Sequence, residues 1–383
     1  MRISIVTGFF LPVPPVLGGA TEKIWHRLAL EFAARGHQVN FVSRAWPGFA
    51  EEETAGGVSH RRVKGADHSR YLAVNLWQDF RWGRRVSRVL PPADAVICNT
   101  VILPVWLRRT RPQAGRVVAV VARMPKGHGR AYGRVDELWA LSEAVAVRLR
   151  AENPRLAGRI APFPYPIDWR LHAQAAGSGA PRTPLTIGFA GRIHPEKGVE
   201  ILLSAASRLA SRDGLPPWRL RIIGPVDVRA GGGGENWKSA LLGRFGGALG
   251  SRLDWRDPEF DPEKLARHFG EMDIFCYPSI AEKGETFGLA IAEAMAARCA
   301  PVVSDLACFS ELVSHGDTGL VFAQSGPQAD VRLAEALAKL LADESLRNAI
   351  AAKAQAYVKR YDFSDVAEKA LADLERLRAV PNH

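Results

Sequence analysis

The chain has 383 residues, 47% apolar and 24% charged, a composition typical of a globular protein with enough apolar side chains for two domains. Its four cysteines lack zinc-ligand spacing, so we interpret them as core thiols of a reducing compartment. No run of about 18 apolar residues occurs and the apolar N-terminal run is too short for a signal peptide, so we expect a cytoplasmic protein without a membrane span.

The net charge of +11 is unevenly distributed along the chain. Residues 1–170 hold 26 Lys and Arg against 13 Asp and Glu, whereas the remainder holds 25 against 27. This excess is either an arginine-rich surface without a ligand or a first half that meets an anionic partner, such as a lipid surface or a diphosphate-bearing acceptor. We expect no nucleic acid, because charge without a recognition motif is weak evidence for it.

Strand-like and helix-like segments alternate along the first half. An apolar strand at residues 2–7 precedes a helix at 21–35, and the sequence Arg-Gly-His at 35–37 ends that helix before a strand at 38–43. Such alternation predicts an α/β fold with a doubly wound parallel sheet. Further apolar runs in this half predict strands at 95–98, 116–122 and 137–141.

Pro, Ala, Gly and Ser crowd residues 154–184, where we place a linker. The alternation then begins again with a strand at 185–190 and a helix at 199–212. The chain is therefore expected to hold two similarly wound units. Further strands of the second unit are predicted at 219–223, 273–277 and 301–304.

We accordingly divide the chain into three parts. Residues 1–170 form a Rossmann-like N-terminal domain, and residues 171–360 form a second Rossmann-like domain. The last part, 361–383, contains a helix at 364–377 that we expect to return to the first domain.

The segment 285–293, Glu-Thr-Phe-Gly-Leu-Ala-Ile-Ala-Glu, has a glutamate at each end of an apolar stretch. We predict a buried helix after Gly288, with Glu293 inside it and Glu285 at its mouth beside free backbone N–H groups. A buried carboxylate costs free energy unless something pairs with it. The segment therefore suits a ligand with hydroxyls at two depths and a phosphate between them, as in a sugar nucleotide.

The strand at 185–190 is followed by Gly-Arg-Ile-His-Pro-Glu-Lys-Gly at 191–198. This places Arg192 and Lys197 on one loop at the carboxyl end of a parallel strand, the edge at which open α/β sheets bind ligands. Two cations at this spacing suit a diphosphate. Alternatively, Glu196 between them pairs with either cation on the surface.

Two glycine-rich segments give weaker signals. Gly18 and Gly19 precede the first helix, where paired glycines let the backbone approach a ligand, although such pairs also occur in loops that bind nothing. The four glycines at 231–234 either approach a phosphate through their backbone or form a flexible surface loop, the interpretation we favour.

The motifs at 191–198 and 285–293, together with Pro-Val-Val-Ser at 301–304, resemble those of the retaining family-4 glycosyltransferases. The resemblance implies the GT-B fold, in which two Rossmann-like doubly wound domains face each other across a central cleft that holds the active site. It also implies metal-independent transfer of a sugar from a nucleotide donor with retention at the anomeric carbon. The resemblance covers nearly the whole chain and is looser in the first half, where it rests on Gly18, Gly19 and the Arg-Gly-His sequence; in the second half it also includes Gly-Asp-Thr-Gly-Leu at 316–320.

By position, this resemblance implies a donor site in the second half. Arg192 and Lys197 would hold the diphosphate and stabilise its charge as it leaves, so with Glu285 they are the expected catalytic residues. Glu285 would bind hydroxyls of the donor sugar and Glu293 those of the ribose, while backbone N–H groups meet sugar hydroxyls and phosphate. The other expected donor contacts are Gly18, Gly19, Thr286, Phe287, Gly288 and Leu289.

No Asp-x-Asp sequence occurs, which fits cationic side chains rather than a metal ion neutralising the leaving diphosphate. We therefore expect no metal site and no cofactor, and a UDP- or GDP-sugar as the donor substrate. The resemblance implies a front-face substitution in which a donor phosphate oxygen takes the acceptor proton. No side chain in the sequence stands out as a general base.

The acceptor side is less well marked. Many family members carry a histidine after the fourth strand of the first domain, where this chain has Arg123, with His128 five residues further on. Either residue could reach the reacting sugar; the alternatives are a structural ion pair for Arg123 and an exposed loop position for His128. We expect a saccharide or lipid-linked acceptor, as in polysaccharide biosynthesis.

Residues 80–90 mix aromatic residues with arginines. Such a segment either docks onto anionic headgroups or forms a solvated helix face with a buried apolar stripe. The first interpretation predicts peripheral attachment to the inner face of a membrane.

For the chain as a whole, the alternative functions are a nucleotide-sugar epimerase, another GT-B enzyme such as a phosphorylase, and a basic membrane- or nucleic-acid-binding protein. An NAD-binding oxidoreductase would need a Gly-x-Gly-x-x-Gly turn after the first strand, and the sequence lacks it there.

Overall fold

The computed structural model describes residues 1–17, 19–177, 182–282 and 284–380, with His128 described by its backbone only. The chain forms two compact units. The first consists of Met1–Pro166 and Phe363–His383, and the second of Ile167–Asp362. The division thus falls at 166/167 and 362/363, where the sequence suggested 170/171 and 360/361.

The first unit contains an eight-stranded sheet. Its strands are Arg2–Val6 (β1), Gln38–Arg44 (β2), Glu52–Ala55 (β3), Val58–Val63 (β4), Ala95–Cys98 (β5), Arg116–Val121 (β6), Glu137–Ala140 (β7) and Ile160–Pro162 (β8). Their order across the sheet is β3-β4-β2-β1-β5-β6-β7-β8, and every neighbouring pair is parallel except β3 with β4. The predicted strands β1, β2, β5, β6 and β7 are confirmed.

The second unit contains a six-stranded parallel sheet. Its strands are Leu185–Ala190 (β9), Trp218–Ile223 (β10), Leu253–Arg256 (β11), Ile274–Tyr277 (β12), Ala300–Ser304 (β13) and Leu320–Phe322 (β14). The order is β11-β10-β9-β12-β13-β14, so the chain builds outward from β9 on one side and then returns to build from β12 on the other. The carboxyl ends of β9 and β12 therefore border the switch point, where doubly wound sheets open a crevice for ligands.

Helices connect the strands of both sheets. They are Ala20–Ala34 (α1), Leu72–Val89 (α2), Leu103–Thr110 (α3), Glu143–Glu152 (α4), Trp169–Ala175 (α5), Val199–Ala210 (α6), Glu235–Leu249 (α7), Pro262–Gly270 (α8), Leu289–Ala296 (α9), Ala329–Ala342 (α10), Glu344–Val358 (α11) and Phe363–Ala379 (α12). The helices predicted at 21–35, 199–212 and 364–377 are confirmed as α1, α6 and α12.

The predicted linker at 154–184 contains the division between the two units, at 166/167, but much of it is folded. Its residues 178–181 lie outside the described residues. Residues 160–162 form β8 at the edge of the first sheet, and residues 169–175 form α5 in the second unit. The prolines mark the ends of short elements rather than one continuous linker, because the apolar side chains Phe163, Tyr165 and Ile167 between them are buried.

Helix α12 packs against the first unit. The Arg35 guanidinium donates a hydrogen bond to Ser364 Oγ over 2.9 Å, and the Arg27 guanidinium carbon lies 5.5 Å from the centroid of the Phe363 ring. Further along the helix, Arg376 Nη2 lies 2.5 Å from Glu137 Oε2 at the start of β7. Apolar burial of Val366 and Leu374 completes the attachment of this helix to the first core.

Candidate functional site

The loops that follow β9 and β12 interlock at the switch point of the second sheet. Gly198 has a φ of 70°, and a Cβ atom there would lie 1.9 Å from the carbonyl oxygen of Pro278. The backbone N–H of Ile280 and the hydroxyl of Ser279 both donate to the carbonyl oxygen of Glu196, over 2.9 and 3.1 Å. The two loops are thus held in one arrangement, which fixes the side chains they carry.

A buried ion pair joins these loops. Lys197 Nζ lies 2.5 Å from Glu285 Oε1, and the two residues are 5% and 7% exposed. Burial, followed by the charge of Glu285, raises the pKa of Tyr277 well above its ordinary value, so the phenol stays protonated and donates a hydrogen bond to that carboxylate. A cation and a hydroxyl therefore compensate the buried negative charge.

Helix α9 places Glu293 differently from the prediction. The helix begins at Leu289 after Gly288, whose φ is 97°, and its fully buried positions include Ile291 and Met295. Glu293 is only half-buried and shares its side of the helix with Leu289. The predicted burial of Glu293 inside the helix is wrong, and the deeply buried carboxylate is that of Glu285 in the preceding loop. The alanine-rich sequence looks apolar all round, although only one side of the helix is covered.

Arg192 lies nearer the surface, with 42% of its side chain exposed. Its guanidinium donates to Glu196 Oε1 over 2.7 Å and to the carbonyl oxygen of Gly231 over 2.9 Å. The surface ion pair between Arg192 and Glu196, one of the two interpretations of the sequence, is therefore present.

The four glycines at 231–234 pack against the loop that carries Arg192. Gly233 N–H donates to the carbonyl oxygen of Ile193 over 2.7 Å, so these glycines form a packed turn rather than a free surface loop.

In the second unit the structure thus brings Arg192, Lys197, Glu285 and the start of α9 to one edge of the sheet. Both cations already have carboxylate partners. An arriving diphosphate must share them, which an arginine with several N–H donors and a lysine with three allow. Tyr277 belongs to this group, and its place at the end of a predicted strand is the signal by which the sequence could have indicated it.

A second group lies in the segments that follow β1 and β8 in the first unit. Gly19 has a φ of 92°, and a Cβ atom there would lie 2.3 Å from Glu22 Oε2, so only glycine fits. Glu22 is buried, which raises the pKa of its carboxyl group. The Tyr165 and Thr21 hydroxyls lie 3.1 Å apart. No sequence motif pointed to Glu22 or Tyr165, although Glu22 lies in the first turn of α1, shortly after the paired glycines.

The sequence also predicted Arg123, His128 and Gly18 as site residues of the first unit. Arg123 is exposed. Burial raises the pKa of Tyr165 to about 12, and the nearby positive charge of Arg123 opposes that rise. His128 begins a short 3₁₀ turn, and its side chain lies outside the described residues, as does Gly18.

Within residues 1–17, 19–177, 182–282 and 284–380, no group of three His, Cys, Asp or Glu side chains is placed to hold a metal ion. None of the helices in that same part is both long and apolar enough to cross a bilayer.

Residues 173–357 match the family described as glycosyl transferases group 1. Over 244 residues the chain is 29% identical to a phosphatidyl-myo-inositol mannosyltransferase of Mycobacterium tuberculosis, an alignment that covers 58% of this chain and 60% of that protein. It is 28% identical to the protein of the same name from Mycobacterium leprae, over 97% of this chain and 96% of that protein. It is also 32% identical to a D-inositol 3-phosphate glycosyltransferase of Corynebacterium urealyticum, over 53% of this chain and 46% of that protein. The chain thus spans about 60% of the length of several of the curated relatives it matches.

Solved structures of similar fold extend over the whole chain. Sucrose-phosphate synthase from Thermosynechococcus elongatus has a TM-score of 0.80 at 18% identity and covers 99% of both chains. Anabaena HepE in complex with UDP and glucose has a TM-score of 0.71 at 17% identity, covering 98% of this chain and 100% of that one. This likeness, with the two parallel-sheet units, confirms the predicted fold class, GT-B with two Rossmann-like α/β units.

Proposed function

We propose that this chain, whose residues 173–357 match the family described as glycosyl transferases group 1, transfers a sugar from a nucleoside-diphosphate donor to an acceptor hydroxyl. The observation that carries the proposal is the buried Lys197–Glu285 pair beside Arg192, at the switch point between β9 and β12. Charged groups held rigidly at this edge suit a ligand that bears both a diphosphate and hydroxyls.

The donor would be held by residues of the second unit. Arg192 and Lys197 would bind the diphosphate through charge-assisted hydrogen bonds. Glu285, fixed by Lys197 and Tyr277, would use its remaining acceptor positions for hydroxyls of the sugar. Glu293 lies on the half-buried side of α9, where it would accept from the ribose hydroxyls.

Backbone groups at the start of α9 would complete the donor contacts. The N–H groups of Phe287, Gly288 and Leu289 precede or begin the helix, where intrahelical acceptors are missing. The loop at Thr286 connects them to Glu285. From the first unit, Gly18 and Gly19 would approach the diphosphate through their backbone.

The proposed reaction is a front-face substitution with retention. The bond between the anomeric carbon and the donor phosphate oxygen breaks, and the acceptor oxygen bonds to the same face of the sugar. The acceptor hydroxyl proton passes to the departing phosphate oxygen, and the diphosphate leaves with its charge stabilised by Arg192 and Lys197. These two cations would take the place of a metal ion, so no metal or cofactor is required.

The acceptor would be a saccharide or a lipid-linked molecule, with Arg123 and His128 on its side. The names of the relatives include phosphatidyl-myo-inositol and D-inositol 3-phosphate, which both carry phosphate. The exposed guanidinium of Arg123 suits a phosphate on the acceptor.

We also propose that the protein binds the cytoplasmic face of an anionic membrane through the first turns of α2. Leu72, Trp77 and Phe80 are 72%, 57% and 42% exposed, and the Arg81 guanidinium carbon lies 4.5 Å from the centroid of the Trp77 ring. This exposed surface lies mostly before the predicted segment 80–90. Within that segment Trp82, Val86 and Leu90 are buried, as expected for a solvated helix face with a buried apolar stripe. Exposed aromatic groups beside arginines suit the interface of a bilayer.

The direct test of the transfer proposal is an assay with a panel of UDP-, GDP- and dTDP-sugars, with and without a chelator. We expect turnover with at least one donor, unchanged by chelator, and a product whose anomeric configuration matches that of the donor. Loss of turnover in chelator would contradict the metal-free mechanism, and an inverted product would contradict retention. Failure of every donor to bind would contradict the donor site itself.

A further inference from the structure

The first unit contains a basic cavity of about 500 Å³ at the amino ends of β6 and β7. Leu377 of helix α12 and Val380, which follows the helix, form one wall. Five guanidinium groups and one carboxylate line the cavity; they belong to Arg108, Arg109, Arg116, Arg134, Arg159 and Asp136.

The single carboxylate is shared between two of these cations. Asp136 Oδ1 lies 2.7 Å from Arg108 Nη1 and 2.9 Å from Arg116 Nη1, and Oδ2 accepts from the backbone N–H of Val117. Arg159 donates to the carbonyl oxygen of Val135 over 3.1 Å, and no carboxylate of the described residues forms an ion pair with it.

The remaining two arginines have unused donors. Arg109 and Arg134 make no hydrogen bond or ion pair to any residue that the structure describes, and both are exposed at the cavity mouth. The cavity therefore combines a large excess of positive charge with guanidinium groups free to bind an anion.

This cavity is separate from the proposed acceptor side. Arg116 begins β6, whereas Arg123 follows its carboxyl end. A strand of this length spans roughly 20 Å, so the two places lie at opposite edges of the sheet.

We propose that the cavity binds a soluble anion that carries two or more phosphate groups. Guanidinium groups bind phosphate oxygens in a bidentate manner, and several of them around one cavity favour a ligand with several such groups. The cavity volume lies in the range of small-molecule sites. A lipid headgroup fits less well, because the exposed large apolar side chains cluster at the start of α2, whereas the cavity wall offers only Val380.

The test is calorimetric titration of inorganic tripolyphosphate at low salt, in an Arg192→Gln background that weakens the proposed donor site. We expect the Arg109→Gln/Arg134→Gln double variant to bind at least about tenfold more weakly than this background. The matched control is Arg170→Gln/Arg212→Gln, which removes the same charge from exposed arginines of the second unit and is expected to bind like the background.

Thermal unfolding provides a second measurement on the same proteins. Tripolyphosphate should raise the melting temperature of the background and of the control pair, and should raise that of the Arg109→Gln/Arg134→Gln variant distinctly less at the same concentration. Equal affinity of the two double variants would overturn the proposal. Binding to vesicles containing phosphatidylinositol without any binding of tripolyphosphate would overturn the assignment of a soluble ligand. Neither outcome depends on whether the chain transfers sugars.

Discussion

Lys197 and Glu285 are each tolerated in the interior because the other is present. Replacing Glu285 by Ala leaves the Lys197 ammonium buried without its partner, so we expect the free energy of unfolding to fall by about 3–5 kcal/mol. The double variant Lys197→Met/Glu285→Leu removes both charges and is expected to recover much of that loss. Urea unfolding of the three proteins measures the difference.

The same variants separate stability from chemistry. If the pair serves the proposed donor site, the double variant regains its stability but not its turnover. Recovery of both properties would assign the pair to structure alone, and an Glu285→Ala variant as stable as the wild type would contradict the buried pair.

Glu293 provides an independent test of the donor site, because it is half-buried on α9 and is not part of the buried Lys197–Glu285 pair. We expect Glu293→Ala to weaken the binding of the cognate nucleoside diphosphate by about tenfold, the loss of one or two hydrogen bonds to a charged group. Glu335→Ala, which removes an exposed carboxylate from α10, is the control and should bind normally. Equal affinities measured by calorimetry would remove Glu293 from the site.

The sequence identified both glutamates but exchanged their environments. Helical spacing indicates which residues share a side of α9, but in a run of Leu, Ala, Ile and Met it does not indicate which side the sheet covers. Glu285 is buried through a loop-to-loop contact with Lys197, 88 residues earlier in the chain. A contact between residues so far apart produces no repeating pattern in the sequence.

At the scale of elements, the contact between the β9 and β12 loops has a sharp test at Gly198. Both Gly198 and Gly214 have positive φ, 70° and 80°, so alanine at either position costs about 1 kcal/mol of backbone strain. Only at Gly198 would the new Cβ meet another backbone, that of Pro278; nothing lies within 4 Å of it at Gly214. We therefore expect Gly198→Ala to displace the Lys197 loop and lower turnover at least about tenfold. Gly214→Ala should retain turnover, and similar turnover in both variants would contradict the interlocked loops.

Helix α2 has a comparable test. Replacing Trp77 and Phe80 by Ser removes two exposed aromatic groups without touching the buried Trp82. We expect flotation with vesicles containing anionic lipid to fall several-fold for the double variant, while turnover on a soluble acceptor is retained. The wild type should also bind these vesicles more weakly as the salt concentration rises, because salt screens the attraction between the basic first unit and the anionic lipid. Absence of wild-type flotation at low salt would exclude this attachment.

Most strands of the described chain could be predicted from the alternation of strand-like and helix-like segments, whereas most helices could not, and the missed strands have physical causes. In β4 the buried positions are Val58, His60 and Arg62, so polar residues interrupt the alternating pattern that marks a half-buried strand. The buried Arg62 is acceptable because its guanidinium lies 2.5 Å from Glu53 Oε1 on β3. Strand β4 depends on this partner in the neighbouring β3, which the sequence of β4 alone does not show.

At the scale of the whole molecule, the positive charge is concentrated in the first unit, which carries the exposed end of α2 and the basic cavity. The second unit, with slightly more acidic than basic residues, carries the proposed donor contacts on a few rigid loops. The motifs of the second unit are specific enough to be recognised in sequence, because they hold side chains at fixed spacing. The first unit depends on side chains brought together from distant segments, such as Thr21 and Tyr165.

The second unit begins and ends in the same place. Ile167 pairs with Asp362 in a parallel bridge, and the Ile167 N–H donates to the carbonyl oxygen of Tyr361 over 2.8 Å. It is therefore an uninterrupted insertion, whereas the first unit needs two separated stretches of chain.

Residues 167–362 expressed alone should fold cooperatively, as measured by circular dichroism, and should retain affinity for the nucleotide. An unfolded product would contradict this expectation. If the second unit holds the proposed donor site, replacing this single insertion by that of a related protein would change the donor while the first unit stays the same.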